Sequence, residues 1–282
     1  MKNKPHPRAE SLRLRHLIEK GVKTGITHPT GLIAHGRGEA FDYLLGERTN
    51  GFAKEAIIAA AIMLTTARHP VITVNGNVTA LCAKEVVALA QAIPAPIEIN
   101  LFYRTKKRVN AIAKRFGKLG IRVLGVNTEE SVKISDYGSK RSFMDKEGVH
   151  KADVVLVMLE DGDRAEQLIK LGKKVIAIDL NPLSRTAQKA TITIVDNVVR
   201  ALPHLRNEVG KTKKIPKNRI KKYRGVADYR LLRWRVNANS LRENFSNEPH
   251  TAQLAGGWLF EKSDANASIL KRAEAEIRKS KL

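Results

Sequence analysis

Residues 152–179 read ADVVLVMLEDGDRAEQLIKLGKKVIAID, and this stretch decides the class of fold. Two short runs rich in Val, Ile and Leu, residues 153–159 and 174–179, flank a segment at 164–171 whose apolar side chains recur at helical spacing. Short, continuously apolar strands that alternate with helices are typical of a parallel sheet covered by helices on both faces. The sequence therefore predicts an α/β fold.

The same alternation extends in both directions along the chain. Further strands are predicted at residues 71–74, 96–102, 121–124 and 191–195, and helices at 9–22, 53–67, 80–92, 106–119, 198–209 and 265–282. Pro and Gly predict a loop at 26–37, with another helix starting near 39–45. Residues 127–151 are polar and irregular. We expect one domain over 1–210, helical to about residue 68, and a basic, largely helical extension over 211–282.

The composition indicates a folded protein of the reducing cytoplasm. Hydrophobic residues form 43% of the 282, which is enough for a buried core. Cys82 is the one cysteine, so neither an internal disulfide nor a cysteine zinc site is expected. The first ten residues lack the apolar core of a signal peptide, and the apolar run at 56–67 is too short to span a bilayer.

The charge balance leaves two classes of function open. Lys and Arg number 51 against 28 Asp and Glu, a net charge of +23, and residues 211–282 hold 18 of the basic and 7 of the acidic residues. Such an excess suits an enzyme that attracts polyanionic substrates. It also suits a nucleic-acid-binding protein, in which Tyr229, Trp234 and Phe245 of the extension could stack on bases. We favour the enzyme, because charge alone indicates nucleic-acid binding only weakly.

Polar loops follow several of the predicted strands. In open parallel sheets, ligands bind beyond the carboxyl ends of the strands. The longest such loop is DLNPLSRT at 179–186, where Asp179 could bind ribose hydroxyls, Arg185 could bind phosphate, and Asn181, Ser184 and Thr186 could add neutral contacts. A loop whose serine merely caps the next helix is the alternative.

Three shorter loops share this position. Asn75-Gly76-Asn77 is either a tight turn or a source of amide groups for the same crevice. Residues 160–163, EDGD, could hold Mg²⁺, although acidic residues that complement the dipole of the next helix explain them equally well. Asp196-Asn197 likewise could hold Mg²⁺ or could simply complement the dipole of the next helix.

Residues 35–39, HGRGE, form a motif that we expect to open a helix. The two glycines would allow close approach of a ligand, the free N–H groups would face an anion, and Arg37 would grip phosphate. A surface turn with a solvated arginine is the alternative. Neither a P-loop nor a G-x-G-x-x-G fingerprint occurs, which disfavours a nicotinamide-dependent dehydrogenase. His35 has no Ser and Asp companions that would indicate a nucleophilic triad.

Beyond these motifs, the sequence resembles the archaeal-type phosphopantothenate synthetases, also called 4-phosphopantoate–β-alanine ligases. The resemblance runs from residue 6 to about residue 209. Its most characteristic stretches are HPRAESLRLR (6–15), GLIAHGRGEAFDYLLGERT (31–49), VITVNGN (71–77), INLFYRT (99–105), ADVVLVMLEDGDR (152–164) and KVIAIDLNPLSRTAQKATITIVDNVVRA (174–201). It is loose over 127–151 and carries no signature after Gly210.

The resemblance implies a Rossmann-like domain, a homodimer and an ATP-dependent ligation in coenzyme A synthesis that releases AMP and diphosphate. The implied ATP contacts are Arg15, Arg37, Asp179, Leu180, Asn181, Arg185, Thr186, Asn197 and Val198. The carboxylate of 4-phosphopantoate would attack ATP to give an acyl-adenylate, which the amine of β-alanine would then attack. We expect Arg37 and Arg185, with Arg15 and Mg²⁺, to neutralise the moving charge. A synthetase acting on free pantoate is the nearest enzymatic alternative.

Overall fold

The computed structural model describes residue 6, residues 8–127, residue 129 and residues 131–133, 143–215 and 264–280. Its centre is a five-stranded sheet of β1 (Pro70–Val74), β2 (Ile97–Ile99), β5 (Val154–Met158), β6 (Lys174–Ile178) and β7 (Ile192–Ile194). The strand order is β2-β1-β5-β6-β7 and every pairing is parallel. The predicted α/β fold with a parallel sheet is thereby confirmed.

Helices cover both faces of this sheet. They are α1 (Ala9–Lys23), α2 (Thr30–Leu44), α3 (Gly51–Thr66), α4 (Gly76–Ala92), α5 (Lys106–Gly117), α6 (Gly162–Lys170), α7 (Arg185–Lys189), α8 (Val198–Thr212) and α9 (Asp264–Lys279). Successive strand side chains point to opposite faces. Leu156 and Ile176 therefore join the larger core with α3, α4 and α8, whereas Val155 and Val175 pack with Leu168 of α6. Across the described residues, no helix is both long and apolar enough to cross a membrane.

The strand order creates a crevice at one point of the sheet. The chain leaves β1 for β2 on one side, and then returns to place β5 on the other side of β1. In doubly wound folds, the carboxyl ends of the two strands at such a reversal bound the usual ligand crevice. The helices α4 and α6 begin directly after β1 and β5, so their first residues lie at that edge.

The start of α2 was predicted wrongly. The expected loop at 26–37 is helical from Thr30 onward, so the HGRGE motif lies within α2 and does not open a helix. Of the glycines of α2, Gly31 serves close packing, whereas a Cβ at Gly36 or Gly38 would make no close contact. A Cβ on Gly31 would lie 2.4 Å from Oδ1 of Asn77, and one on Gly38 would lie 3.5 Å from Leu180. Interior helix N–H groups are already bonded, so the motif cannot offer them to an anion.

Three smaller predictions also need correction. Residues 121–124 form no strand, since only Leu124 pairs, through an isolated parallel bridge to Glu98. The stretch 127–151, expected to be irregular, contains an antiparallel pair, β3 (Ser131–Lys133) with β4 (Phe143–Asp145), and a π-helical turn, Lys146–His150. The tight turn expected at 75–77 is the beginning of α4, with Asn75 as its N-cap.

The C-terminal helix α9 packs against the body of the protein. It contacts α3, β7, α7 and α2, and it buries Ile269 and Ala273 in the larger core. The predicted stacking residues Tyr229, Trp234 and Phe245 lie outside the described residues. The division of the chain near residue 210 stays a prediction.

Candidate functional site

Asn75 joins the ends of the two strands that bound the crevice. Its side-chain oxygen accepts from Val78 N (3.1 Å), which caps α4. Its side-chain nitrogen donates to the carbonyls of Met158 (2.9 Å) and Leu159 (3.0 Å) at the end of β5. The Asn75 amide therefore ties the start of α4 to the end of β5.

The loop after β6 is organised around Asp179. One carboxylate oxygen accepts from Asn181 N (2.9 Å) and the other from the hydroxyl of Ser184. Burial raises the pKa of Asp179, and the hydrogen bonds from Ser184 and Asn181 and the charge of Arg37 oppose that rise. The serine cap that was the alternative interpretation of this loop is present, because Ser184 Oγ also accepts from Ala187 N (3.0 Å) at the start of α7. The loop is a pre-formed polar turn at the edge of the sheet.

Two further residues of this loop connect it to its surroundings. Thr186 is buried and its hydroxyl donates to the Glu160 carbonyl (2.7 Å), which joins the loops after β5 and β6. Leu180 is 5% exposed and lies under Gly38 of α2. The loops after β5 and β6 are thus hydrogen-bonded to each other, and the loop after β6 also lies against α2.

Helix α2 runs along the carboxyl edge of the sheet. The carbonyl of Gly31 accepts from Asn77 Nδ2 (2.9 Å) at the start of α4. Farther along α2, Leu180 after β6 lies beside Gly38, and Asp42 accepts from Asn197 Nδ2 (2.8 Å) beyond β7. Helix α2 thus lies along the ends of β1, β6 and β7 and forms one wall of the candidate site.

Arg37 lies on the exposed side of α2, and its charge acts on Asp179. His35 instead lies partly buried, and its Nε2 has no hydrogen-bond partner among the described residues. Burial lowers the pKa of His35 below its ordinary value. Burial therefore favours the neutral form of this imidazole.

A carboxylate of α2 holds Arg15 of α1. Arg15 Nε and Nη2 donate to Glu39 Oε2 at 2.9 and 2.8 Å. The hydroxyls of Ser11 and Tyr43 donate to the same carboxylate. Burial alone would raise the pKa of Glu39, but these hydrogen bonds outweigh it and lower the pKa to about 2. Glu39 is therefore ionised and fixes the guanidinium of Arg15 beside α2.

A second charged network holds the loop after β7. Arg200 of α8 contacts Asp196 (2.8 Å) and Asp42 of α2, and Asp196 also accepts from Thr49 Oγ1 (2.6 Å). Asp42 in turn accepts from the side-chain amide of Asn197. Burial raises the pKa of Asp196, and the charge of Arg200 opposes that rise. The network sets the orientation of the Asn197 side chain, next to the buried Val198 that begins α8.

Arg185 has its charge directed toward α6. It forms ion pairs with Asp163 and Glu166, and 56% of its side chain is exposed. Its Cβ packs where Gly162 has no side chain. Exposed ion pairs contribute little free energy, about 1 kcal/mol or less. A phosphate that bound Arg185 would therefore replace ion pairs that contribute little free energy.

The acidic loop at 160–163 does not form a metal cage. No group of three or more His, Cys, Asp or Glu side chains that could hold a metal ion occurs within the described part of the chain. Asp163 is engaged by Arg185, and Glu160 accepts from Asp161 N (3.0 Å). A divalent cation at this edge would depend on oxygen ligands from a bound substrate.

Comparison with known proteins identifies the family. A sequence profile described as phosphopantothenate/pantothenate synthetase matches residues 52–234. This chain belongs to that family. It is 53% identical over 204 residues to a 4-phosphopantoate–β-alanine ligase of Thermococcus kodakarensis, covering 72% of this chain and 77% of the relative. It is 50% identical over 218 residues to the ligase of the same name from Methanosarcina mazei, covering 77% and 85%.

The resemblance inferred from the motifs is thus confirmed at the level of the family. A third relative, from Methanospirillum hungatei, carries the same name and is 51% identical over 200 residues, covering 71% of this chain and 81% of its own. None of these three relatives is named for nucleic-acid binding. They therefore give no support to the alternative that the basic charge serves to bind nucleic acid.

The residues that the sequence reasoning did not single out are the partners of the predicted ones. Glu39, Asp42 and Arg200 hold Arg15 and Asn197 in place. A helical reading of residues 30–44 would have revealed the first two, because His35, Glu39 and Asp42 recur at spacings of four and three. Arg200 offered no comparable signal, since its partner on α2 is distant in sequence.

Proposed function

We propose that this protein is an ATP-dependent ligase that condenses 4-phosphopantoate with β-alanine to give 4-phosphopantothenate, AMP and diphosphate. The names of its relatives and its family support this reaction. The observation that carries the proposal is that the polar loops after β6 and β7 lie along α2, with the loop after β5 hydrogen-bonded to the loop after β6. A site of this form, with Arg37 at its rim, suits a nucleotide with a polyanionic tail.

The residues of the loop after β6 are suited to the nucleoside end of ATP. Asp179 offers carboxylate oxygens to ribose hydroxyls, and its turn is already formed by bonds within the loop. Leu180 and Val198 supply buried apolar surface, whereas Asn181, Thr186 and Asn197 supply polar groups at the same edge. A pre-formed loop of this kind binds with little loss of conformational entropy.

The arginines are suited to the phosphate end. Arg37 is exposed at the rim, and Arg15 and Arg185 are held by carboxylates that compete with phosphate. We assign Arg37 and Arg185 to neutralising charge as the carboxylate of 4-phosphopantoate attacks the α-phosphate and diphosphate leaves. Mg²⁺ would enter as part of the ATP complex, coordinated chiefly by phosphate oxygens and water.

The second step transfers the acyl group to nitrogen. The neutral amine of β-alanine attacks the acyl carbon of the adenylate and a C–N bond forms. AMP departs with the electron pair of the broken C–O bond, and the nitrogen releases one proton to water. The contribution of the protein here is mainly positioning, because two bound reactants react as one assembly. We further propose that the protein is cytoplasmic. We also propose that it acts as a homodimer, and sedimentation equilibrium would test that oligomeric state directly.

An AMP-release assay tests the reaction. Purified protein with ATP, Mg²⁺ and β-alanine should form AMP when 4-phosphopantoate is present, and not when unphosphorylated pantoate replaces it. Arg37→Ala should lose most of the activity, whereas Arg278→Ala should keep it, since within the described ranges Arg278 pairs with Glu274 of its own helix. Absence of AMP with either acid, from a folded protein, would refute the proposal.

A further inference from the structure

One side chain of the C-terminal helix makes three hydrogen bonds to β7 and to the end of α7. Asn266, in the first turn of α9, accepts from Thr193 N (2.8 Å) of the edge strand β7. Its side-chain nitrogen donates to the carbonyls of Ala187 and Ala190 (both 3.0 Å). Edge strands and helix ends have backbone N–H and C=O groups without a hydrogen-bond partner in their own strand ladder or helix. The side chain of Asn266 bonds three such groups of β7 and α7.

These bonds end at the helix that carries the candidate nucleotide residues. Helix α7 has only five residues, Arg185–Lys189, and a helix of this length is not stable without tertiary contacts. Ala187 O is held twice, by Asn266 and by the hydroxyl of Thr193 (2.8 Å). The position of α7 therefore depends on β7 and α9 as well as on its own sequence.

A continuous hydrogen-bonded path leads from Asn266 to Asp179. Asn266 binds the carbonyl of Ala187, and the amide of Ala187 donates to Ser184 Oγ (3.0 Å). Ser184 donates to Asp179, the carboxylate at the centre of the loop after β6. Displacement of α7 would therefore move the serine that orients this carboxylate.

Other contacts of α9 serve a different purpose. Arg272 forms a two-pronged pair with Glu55 of α3 (3.1 and 2.6 Å), and Arg48 pairs with Glu276 (3.2 Å). These ion pairs attach α9 to the loop between α2 and α3 and to α3 itself. Neither pair involves a residue of α7. The attachment of the helix and the alignment of α7 can thus be perturbed separately.

We propose that Asn266 is a positioning residue for ATP, through which the C-terminal helix aligns α7 and the Asp179 loop. This inference rests on the proposed ligase function. Asn266 lies beyond residue 234, where the match to the family profile ends, so a segment outside the matched region contributes to the nucleotide site. Asn266 acts through Ala187 and Ser184, without contact with the substrate.

Titration calorimetry with ATP and steady-state kinetics test this role in the full-length protein. Asn266→Ala should weaken ATP binding and raise KM for ATP at least about fivefold, since three hydrogen bonds are lost. KM for β-alanine should change little. The matched control Arg272→Ala should lower the melting temperature comparably and leave the affinity for ATP unchanged.

A second variant covers the case in which Asn266→Ala does not fold. Thr193→Val keeps the shape of the side chain and removes only its bond to Ala187. It should weaken ATP binding in the same direction, by about threefold. Unchanged ATP affinity in both Thr193→Val and a folded Asn266→Ala, or equal weakening in Arg272→Ala, would overturn the inference. If the unsubstituted protein bound no ATP, the proposed function itself would have failed, and this control is measured first.

Discussion

Replacing Glu39 by Gln tests the charged link between α1 and α2. The substitution keeps the size of the side chain and removes the negative charge that Arg15, Ser11 and Tyr43 face. Glu39 is only 9% exposed, so water can replace little of what its partners lose. We expect the variant to fold with α2 less firmly held at the edge of the sheet.

The magnitude follows from the pKa of Glu39, which its hydrogen bonds lower to about 2. At about 1.4 kcal/mol for each tenfold change in proton affinity, the lowering from 4.5 corresponds to at most roughly 3.5 kcal/mol. The side chain of Arg15 is 41% exposed, and solvent screening reduces that value. Glu39→Gln should therefore lower the free energy of unfolding by about 2 kcal/mol at pH 7.

The sign of the pH dependence distinguishes this cause from a packing defect. A carboxyl whose pKa is lower in the folded state stabilises the fold above its unfolded pKa of about 4.5, and this stabilisation disappears as the pH falls through about 2. The difference between the original protein and Glu39→Gln should be complete at pH 7 and less than about half as large near pH 3.

Urea unfolding followed by circular dichroism at pH 7, 4 and 3 measures this difference. Glu10→Gln is the control, because Glu10 and Arg13 form an exposed pair on α1 with 58% and 55% of their side chains accessible. The control should cost less than about 0.5 kcal/mol. A cost for Glu39→Gln that stays the same from pH 7 to pH 3 would refute the electrostatic reasoning.

Three further predictions concern packing, buried charge and the thiol. Gly31→Ala should destabilise the protein by about 1–3 kcal/mol, because its Cβ would lie 2.4 Å from a side-chain oxygen of α4. Gly36→Ala, which meets no atom within 4 Å, should instead stabilise it by about 0.5–1 kcal/mol in thermal melts, and equal effects would be inconsistent with the packing of α2. Arg200→Met should cost about 3 kcal/mol or more in urea unfolding, since Asp42 keeps its buried charge without its cation. Burial raises the pKa of Cys82, so Ellman's reagent should label the thiol only as fast as the protein unfolds, and rapid labelling of the folded protein would contradict its burial.

Local sequence patterns were sufficient for the five strands of the central sheet and for the positions of the polar loops after them. The apolar runs of β5 and β6 and the helix between them were predicted because each depends on periodicity within one segment. The polar loop at 179–186 followed from the rule that ligands bind at strand ends. Its serine cap also proved correct, since a cap bonds only three residues ahead.

Helix α2 shows where local patterns mislead. Pro29, Gly31, Gly36 and Gly38 predict a loop, because proline and glycine are poor helix formers in isolation. In the folded protein, Gly31 instead allows the helix to approach α4 closely, whereas a Cβ on Gly38 would meet Leu180 only at ordinary contact distance. The free energy of that packing outweighs the cost of glycine within a helix, and no pattern within residues 26–37 records it.

The sequence by itself determined the α/β class, the order of its elements and the strand-end residues of the candidate site. The tertiary structure alone decided what holds those residues: Asp42 reaches Asn197 across 155 positions, and Asn266 reaches Thr193 across 73. Helix and strand periodicities reflect neighbours within about four residues. Contacts between distant segments depend on how whole elements pack, and that arrangement exists only once the chain has folded.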